Sequence, residues 1–170
     1  MKRVFFLVVF VCIFLYCTQG FPQNNFDICS CKSSDVNKEY ILLCLVGYLQ
    51  MYPENIEGAK RVVICAIEQW EKRDGAIGKA ISDAFLAMME MNPTIFFDEM
   101  AKNQRIFSEW LNKLEPYSFT SFKKPPSLLE DRRKKLIEFL SKFGPLPKQE
   151  DILRQKLVSV LRTIKVRQVK

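Results

Sequence analysis

Residues 77–111 read IGKAISDAFLAMMEMNPTIFFDEMAKNQRIFSEWL, and their pattern decides the fold. Apolar residues recur at steps of three and four along both halves, which is the spacing of a helix with one buried face. Asn92-Pro93 divides the halves, because asparagine is a favoured N-cap and proline is tolerated at the first helical position. The stretch predicts one helix over 77–91 and a second, continuous helix over 93–111.

The same pattern extends outward in both directions. Pro53 fits the first turn of a helix, and Ser127 with Glu130 has the spacing of a capping box at the start of another. Four further helices are therefore predicted, over residues 36–51, 53–73, 127–143 and 147–164. The expected fold class is all-α, with about six helices.

A self-comparison at an offset of 40 residues aligns Pro53 with Pro93 and Trp70 with Trp110. This period predicts three helical hairpins, packed either as a short HEAT-like right-handed array or as a compact bundle. The alternative is chance similarity among amphipathic helices joined by proline turns. Because the two tryptophans take equivalent places in the proposed repeat, we expect both to lie in the core.

Residues 1–20 have the order of a secretory signal peptide: Lys2-Arg3, an apolar run over residues 4–16, and a small residue, Gly20, at the predicted cleavage point. The run is shorter than the roughly 20 residues that cross a bilayer. We therefore expect a secreted, extracellular protein, or a periplasmic one in a bacterium. An uncleaved anchor and a lipid attached at Cys17 are the alternatives.

Cleavage would leave four cysteines, an even number in an exported chain. Two disulfides are expected to clamp an N-terminal segment, residues 21–35, onto a single helical domain over residues 36–170. The pairing is left open, and a four-thiolate zinc site is the alternative. The candidate disulfide residues are Cys29, Cys31, Cys44 and Cys65.

Charge is unevenly distributed along the chain. Residues 21–122 carry a net charge of −4, whereas residues 123–170 carry +9. A basic C-terminal third predicts attraction to an acidic protein surface, an anionic membrane or a polyanion, with nucleic acid least favoured in a secreted protein. The alternative is a solvated helix with i,i+4 pairs such as Glu130 with Lys134 and Glu138 with Lys142. The candidate contact residues are Arg154, Arg162, Lys165, Arg167 and Lys170.

The chain contains no histidine, which removes the residue used most often as a general base and as a neutral metal ligand. Histidine-dependent triads and zinc-protease motifs are thus excluded, and the exported cysteines are better explained as disulfides than as nucleophiles. We predict no enzymatic activity, and we assign no catalytic, cofactor-binding or metal-binding residue.

The expected function is that of a secreted helical protein that acts through a protein–protein interface, as an inhibitor, immunity factor, adaptor or signal would. A carrier of a small apolar ligand is the first alternative, since methionine and phenylalanine side chains can line a cavity between helices. The same residues also suit a solid core. The candidate lining residues are Met51, Phe85, Met88, Met89, Phe96, Met100 and Phe107.

Overall fold

The computed structural model describes residue 47 and residues 55–73, 75–121 and 125–169 of the chain. These residues belong to a compact unit that covers residues 35–170. The described part is almost entirely helical, which confirms the all-α class. Its elements are α1 (Ile56–Glu71), α2 (Gly75–Met91), α3 (Pro93–Lys102), α4 (Gln104–Ser118), β1 (Thr120–Ser121), α5 (Pro126–Lys142), α6 (Lys148–Thr163) and β2 (Arg167–Gln168).

Helix α1 begins at Ile56, so the prediction that placed Pro53 in its first turn is wrong. Asn55 is the N-cap, and its side-chain oxygen accepts a hydrogen bond from the backbone N–H of Gly58 at 2.8 Å. This bond satisfies one of the unpaired amides that every helix has at its start. Pro53 itself and the predicted signal peptide fall in the part of the chain that is not described, and so does the predicted helix over residues 36–51, except for Gly47, which is helical.

The continuous helix predicted over residues 93–111 is also wrong, because the chain leaves the helical conformation at Asn103 and divides into α3 and α4. The side-chain amide of Asn103 donates to the carbonyl of Glu99 at 2.9 Å, and its backbone N–H donates to the carbonyl of Met100 at 3.1 Å. Residues 75–118 therefore contain three helices where a single hairpin was expected. In the proposed 40-residue repeat, the position that corresponds to this break lies in the middle of α1. Helix α1 is continuous there, so the two units differ at this point.

Helix α5 begins without the predicted capping box. Pro125, in an extended conformation, precedes the first helical residue, Pro126, and no side chain caps this end. Proline needs no hydrogen-bond acceptor at the first helical position, which explains the earlier start. The carboxylate of Glu130 instead accepts hydrogen bonds from Arg133, at 2.9 and 2.5 Å. These bonds, together with the charge of the predicted partner Lys134, lower the pKa of Glu130.

Both tryptophans are fully buried, as expected. The ring of Trp110 lies 5.5 Å from that of Phe85 and 5.7 Å from that of Phe96, both in edge-on geometry. Its indole N–H donates to the hydroxyl of Ser82 at 2.9 Å, and Ser82 is hydrogen-bonded to Ser118 at 2.8 Å. A buried polar chain of three side chains thus fixes α4 against α2.

A two-stranded parallel sheet, which the sequence did not predict, joins the end of α4 to the residues that follow α6. Strand β1 pairs with β2, with Thr120 opposite Arg167 and Ser121 opposite Gln168. Glu115 strengthens the junction, because its carboxylate accepts from the backbone N–H of Lys165 at 3.3 Å and lies 3.0 Å from the guanidinium of Arg167.

Candidate functional site

The residues predicted to line an apolar cavity belong to the core. Met51 lies outside the described residues, and the other six are fully buried. The phenylalanine rings among them contact one another and the tryptophans. For example, the ring of Phe85 lies 6.1 Å from that of Phe96, and the ring of Phe107 lies 5.7 Å from that of Trp110. Two depressions on the surface of α5 and α6 are lined by other residues.

Three of the predicted basic residues are exposed: Arg162, Lys165 and Arg167. Arg167 also binds Glu115. Arg154, in contrast, is only 17% exposed, and its guanidinium donates to the carbonyl of Leu140 at 2.7 Å and to that of Phe143 at 3.1 Å. Lys170 lies beyond the described residues, as do the cysteines Cys29, Cys31 and Cys44, while Cys65 is buried in α1.

Helices α5 and α6 form an antiparallel pair, which we call the C-terminal helix pair, and two arginines cap it reciprocally. Arg133 of α5 donates to the carbonyl of Leu161, near the end of α6, at 2.7 Å. Arg154 of α6 donates to the carbonyl of Leu140, near the end of α5, at the same distance. Each bond satisfies a carbonyl that lacks a partner within its own helix, and positive charge is favoured at a helix C-terminus.

The sequence around the two capping arginines is similar at an offset of 21 residues. Each arginine is held by an acidic residue three positions earlier, Glu130 or Asp151. The caps that end the two helices share one conformation, with φ −62° and ψ 139° at Phe143 and φ −58° and ψ 136° at Ile164. The matching pairs are Glu130 and Asp151, Arg133 and Arg154, Lys135 and Lys156, Leu136 and Leu157, Ile137 and Val158, Leu140 and Leu161, and Phe143 and Ile164.

The helix pair therefore has an approximate two-fold axis perpendicular to the plane of its helices, since only that axis exchanges two antiparallel helices. Its inner face carries the buried leucines Leu136, Leu140, Leu157 and Leu161. Its outer face contains a depression of about 410 Å³ between the helices, which we call the outer seam. The outer seam is lined by Leu140, Ser141, Arg154, Gln155, Val158, Ser159 and Arg162.

A second depression, of about 420 Å³, lies beside α5 near its C-terminal end. Its apolar part is the half-buried pair Phe139 and Phe143, whose rings are 5.8 Å apart. Lys135, Glu138 and Lys142 complete its sides, with Gly144 at its end. Glu138 and Lys142 form the predicted i,i+4 ion pair at 2.6 Å, and this bond lowers the pKa of the glutamate below its ordinary value.

The two helices differ in charge at six pairs of corresponding exposed positions. The pairs are Ser127 and Lys148, Asp131 and Ile152, Lys134 and Gln155, Glu138 and Ser159, Ser141 and Arg162, and Lys142 and Thr163. A search of the sequence for i,i+4 ion pairs within each helix does not detect this difference in charge, because it compares residues of the same helix only. A comparison of the sequence with itself at the 21-residue offset would have found it.

The described fold and surface define an all-α protein with a cationic C-terminal helix pair. Comparison with protein-family models, curated proteins and solved structures finds no match to this chain. Within the described residues, no group of three or more cysteine and acidic side chains is placed to hold a metal ion. None of the helices in that part of the chain is both long enough and apolar enough to cross a membrane.

Proposed function

We propose that this chain is a secreted, non-enzymatic helical protein that binds a partner protein through the outer face of its C-terminal helix pair. The observation that carries the proposal is the reciprocal capping by Arg133 and Arg154. The two bonds hold the helices in one register, so the exposed side chains between them form a surface that needs little ordering when a partner binds. Such preorganisation reduces the entropic cost of association.

The chemistry of the outer face also supports a role in recognition. The exposed cation Arg162 lies in the outer seam, and the exposed cation Lys135 lies with the half-buried rings of Phe139 and Phe143 in the second depression, beside α5. Apolar contacts surrounded by charged groups are typical of protein interfaces, in which the apolar part supplies affinity and the charges supply specificity. Secretion is proposed from the leader-like sequence of residues 1–20.

Two other functions would compete with this one. A carrier would hold a small apolar molecule among the methionine and phenylalanine side chains of the core. A cationic surface protein would bind anionic membranes or a polyanion through the same helix pair. Native mass spectrometry distinguishes these three functions, because bound proteins, lipids and small molecules differ in mass. The protein should be purified under mild conditions from the fluid into which its source secretes it.

The decisive comparison uses two variants that each lose two positive charges. Lys135→Gln with Arg162→Gln alters one cation in each of the two depressions of the helix pair, whereas Lys72→Gln with Lys113→Gln alters exposed residues outside the helix pair. We expect a stoichiometric protein complex that only the first variant loses. An apolar molecule bound without a partner protein, or a complex that both variants retain equally, would refute the proposal.

A further inference from the structure

We propose that Arg162 and Ser159 form a binding site in the outer seam for a single carboxylate, which a glutamate or aspartate side chain of the partner protein supplies. This inference rests on the proposed function and specifies the chemical group that the partner presents.

Arg162 is the arginine without a partner in the described residues 125–169. It is exposed on α6, lines the outer seam, and makes no hydrogen bond or ion pair with another residue there. A guanidinium carries five N–H donors and a permanent charge, so this side chain is available to an anionic ligand. The other four arginines of this part of the chain each bind a carboxylate: Arg132 binds Asp83, Arg133 binds Glu130, Arg154 binds Asp151, and Arg167 binds Glu115.

Two carboxylates of the helix pair lie near the seam, but both are already engaged. The two oxygens of Glu130 accept hydrogen bonds from Arg133, at 2.9 and 2.5 Å. In Asp151, one oxygen accepts from Arg154 at 2.8 Å, and the other accepts from the side-chain amide of Gln155 at 2.6 Å. These bonds hold the reciprocal caps in place, so neither carboxylate neutralises the exposed arginine of the seam.

The surroundings of Arg162 favour a ligand with one negative charge. The lining of the outer seam contains no acidic residue, and its other arginine, Arg154, is bound by Asp151 and by two backbone carbonyls. Ser159 precedes Arg162 by three residues, so its hydroxyl and the guanidinium share one face of α6. One uncompensated cation beside a neutral hydroxyl matches a monoanion, whereas a polyanion is attracted by a surface with several uncompensated cations.

The seam also suits a carboxylate that ends a short aliphatic side chain. A guanidinium binds a carboxylate through two parallel hydrogen bonds, and the hydroxyl of Ser159 supplies a third donor. Val158 is half-buried and Leu140 is buried, and both line the seam, so they would contact the methylene groups of a bound glutamate or aspartate. Arginine is also enriched among the few residues that dominate the affinity of protein interfaces. The seam would thus bind one acidic side chain of the partner by charge and by contact.

The test titrates the whole protein with a probe that has a single carboxylate. The probe is N-acetylglutamate N-methylamide, which reproduces a glutamate side chain within a peptide, and N-acetylglutamine N-methylamide is its uncharged counterpart. Binding is followed in NMR spectra by the Nε–H signal of Arg162 and by the backbone amide signals of residues 155–162. Methyl phosphate and a heparin tetrasaccharide are the competing probes, and they represent a phosphate group and a sulfated glycan.

We expect saturable shifts of these signals with the glutamate probe and none with the glutamine probe. Arg162→Gln should weaken binding at least about tenfold, because it removes charge-assisted hydrogen bonds. Arg162→Lys keeps the charge but lacks the planar fork, so it should weaken binding about threefold or more. Ser159→Ala, which removes one neutral donor, should have an effect of about threefold. Lys113→Gln is the matched control, because it removes an exposed charge of α4, outside the seam, and should bind the probe as the wild-type protein does.

Several results would overturn the inference. They are the absence of saturable binding of the glutamate probe, equal binding by the wild-type protein and either Arg162 variant, and tighter binding of methyl phosphate or the heparin tetrasaccharide at Arg162. All the substituted residues are exposed, so the variants should fold, and denaturant unfolding checks this.

Failure here is separable from failure of the proposed function. A native protein complex that is lost in the double variant Lys135→Gln, Arg162→Gln, but that Arg162→Gln alone retains, would preserve the function and refute the carboxylate site. Binding of the glutamate probe at Arg162 in a protein that forms no native protein complex would refute the function and retain the site.

Discussion

Arg133 and Arg154 take corresponding positions in two similar helices, and each caps the helix that carries the other. Neither is a free surface cation, since both side chains are only 17% exposed. Their acidic neighbours Glu130 and Asp151 hold the guanidinium groups in place. The two least exposed arginines of the C-terminal helix pair thus hold its helices together.

Replacing a capping arginine should destabilise the protein. Arg154→Gln leaves the carbonyls of Leu140 and Phe143 without their charged donor, which should cost about 1–3 kcal/mol of unfolding free energy. Lys135→Gln, at an exposed position of α5, is the control and should cost less than about 0.5 kcal/mol. Denaturant unfolding measures both. Equal stability of the two variants would show that the cap contributes little.

Two substitutions in the buried hydrogen-bonded chain of Trp110, Ser82 and Ser118 should lower the unfolding free energy by different amounts. Ser82→Ala removes the acceptor of the indole N–H and the partner of Ser118, so two buried groups lose their hydrogen bond at a cost of about 2–4 kcal/mol. Ser118→Ala leaves the bond between Trp110 and Ser82 intact and should cost less. Thermal and denaturant unfolding of both variants, with Trp110 fluorescence as the probe, would test this order. The reverse order would disprove the central role of Ser82.

Glycine is required at position 78 because the ring of Tyr117 lies very close to it. A Cβ atom at this position would lie 2.8 Å from the ring of Tyr117, so Gly78→Ala should displace the ring and lower the unfolding free energy by about 1–3 kcal/mol. Gly144→Ala is the matched control, because a Cβ atom added there would meet nothing within 4 Å beyond its chain neighbours. Removing the obstruction in the double variant Gly78→Ala, Tyr117→Ala should make the glycine substitution nearly neutral. A destabilisation that persists in that background would refute the steric explanation.

Acid should weaken the helix pair. The hydrogen bonds from Arg133 lower the pKa of Glu130 below its ordinary value of 4.5, so the folded state holds the charged carboxylate more favourably than the unfolded state does. The resulting stability is present above that ordinary value and is lost as the pH falls through the lower folded-state pKa. Glu130→Gln should therefore make the melting temperature less sensitive to pH in this acidic range. In an Arg133→Gln background, which lacks these hydrogen bonds, Glu130→Gln should leave the sensitivity unchanged.

Sequence periodicity predicted most of the helices because burial of one face is the dominant force that forms them. It located α2, α5 and α6 to within a few residues. It did not predict the break at Asn103, where the deciding interaction is a hydrogen bond between this side chain and the carbonyl of Glu99. Asparagine can occupy a helix interior or end a helix, and the apolar spacing is the same in both cases.

The candidate site was predicted less well, for a related reason. Arg154 is one of several cations in a basic sequence, and only the proximity of α5 to α6 gives it two carbonyl acceptors. The similarity at an offset of 21 residues is visible in the sequence, but it relates single helices, whereas the 40-residue offset relates hairpins.

The parallel pairing of β1 with β2 has a mechanical consequence. The backbone N–H of Arg167 donates to the carbonyl of Phe119, and that of Val169 donates to the carbonyl of Ser121. A force applied to the C-terminal end of the chain would load these two bonds before it reached α6. Residues 167–169 therefore bear the load first. A tether or surface attached after them would pull on this small sheet before it disturbed the helices.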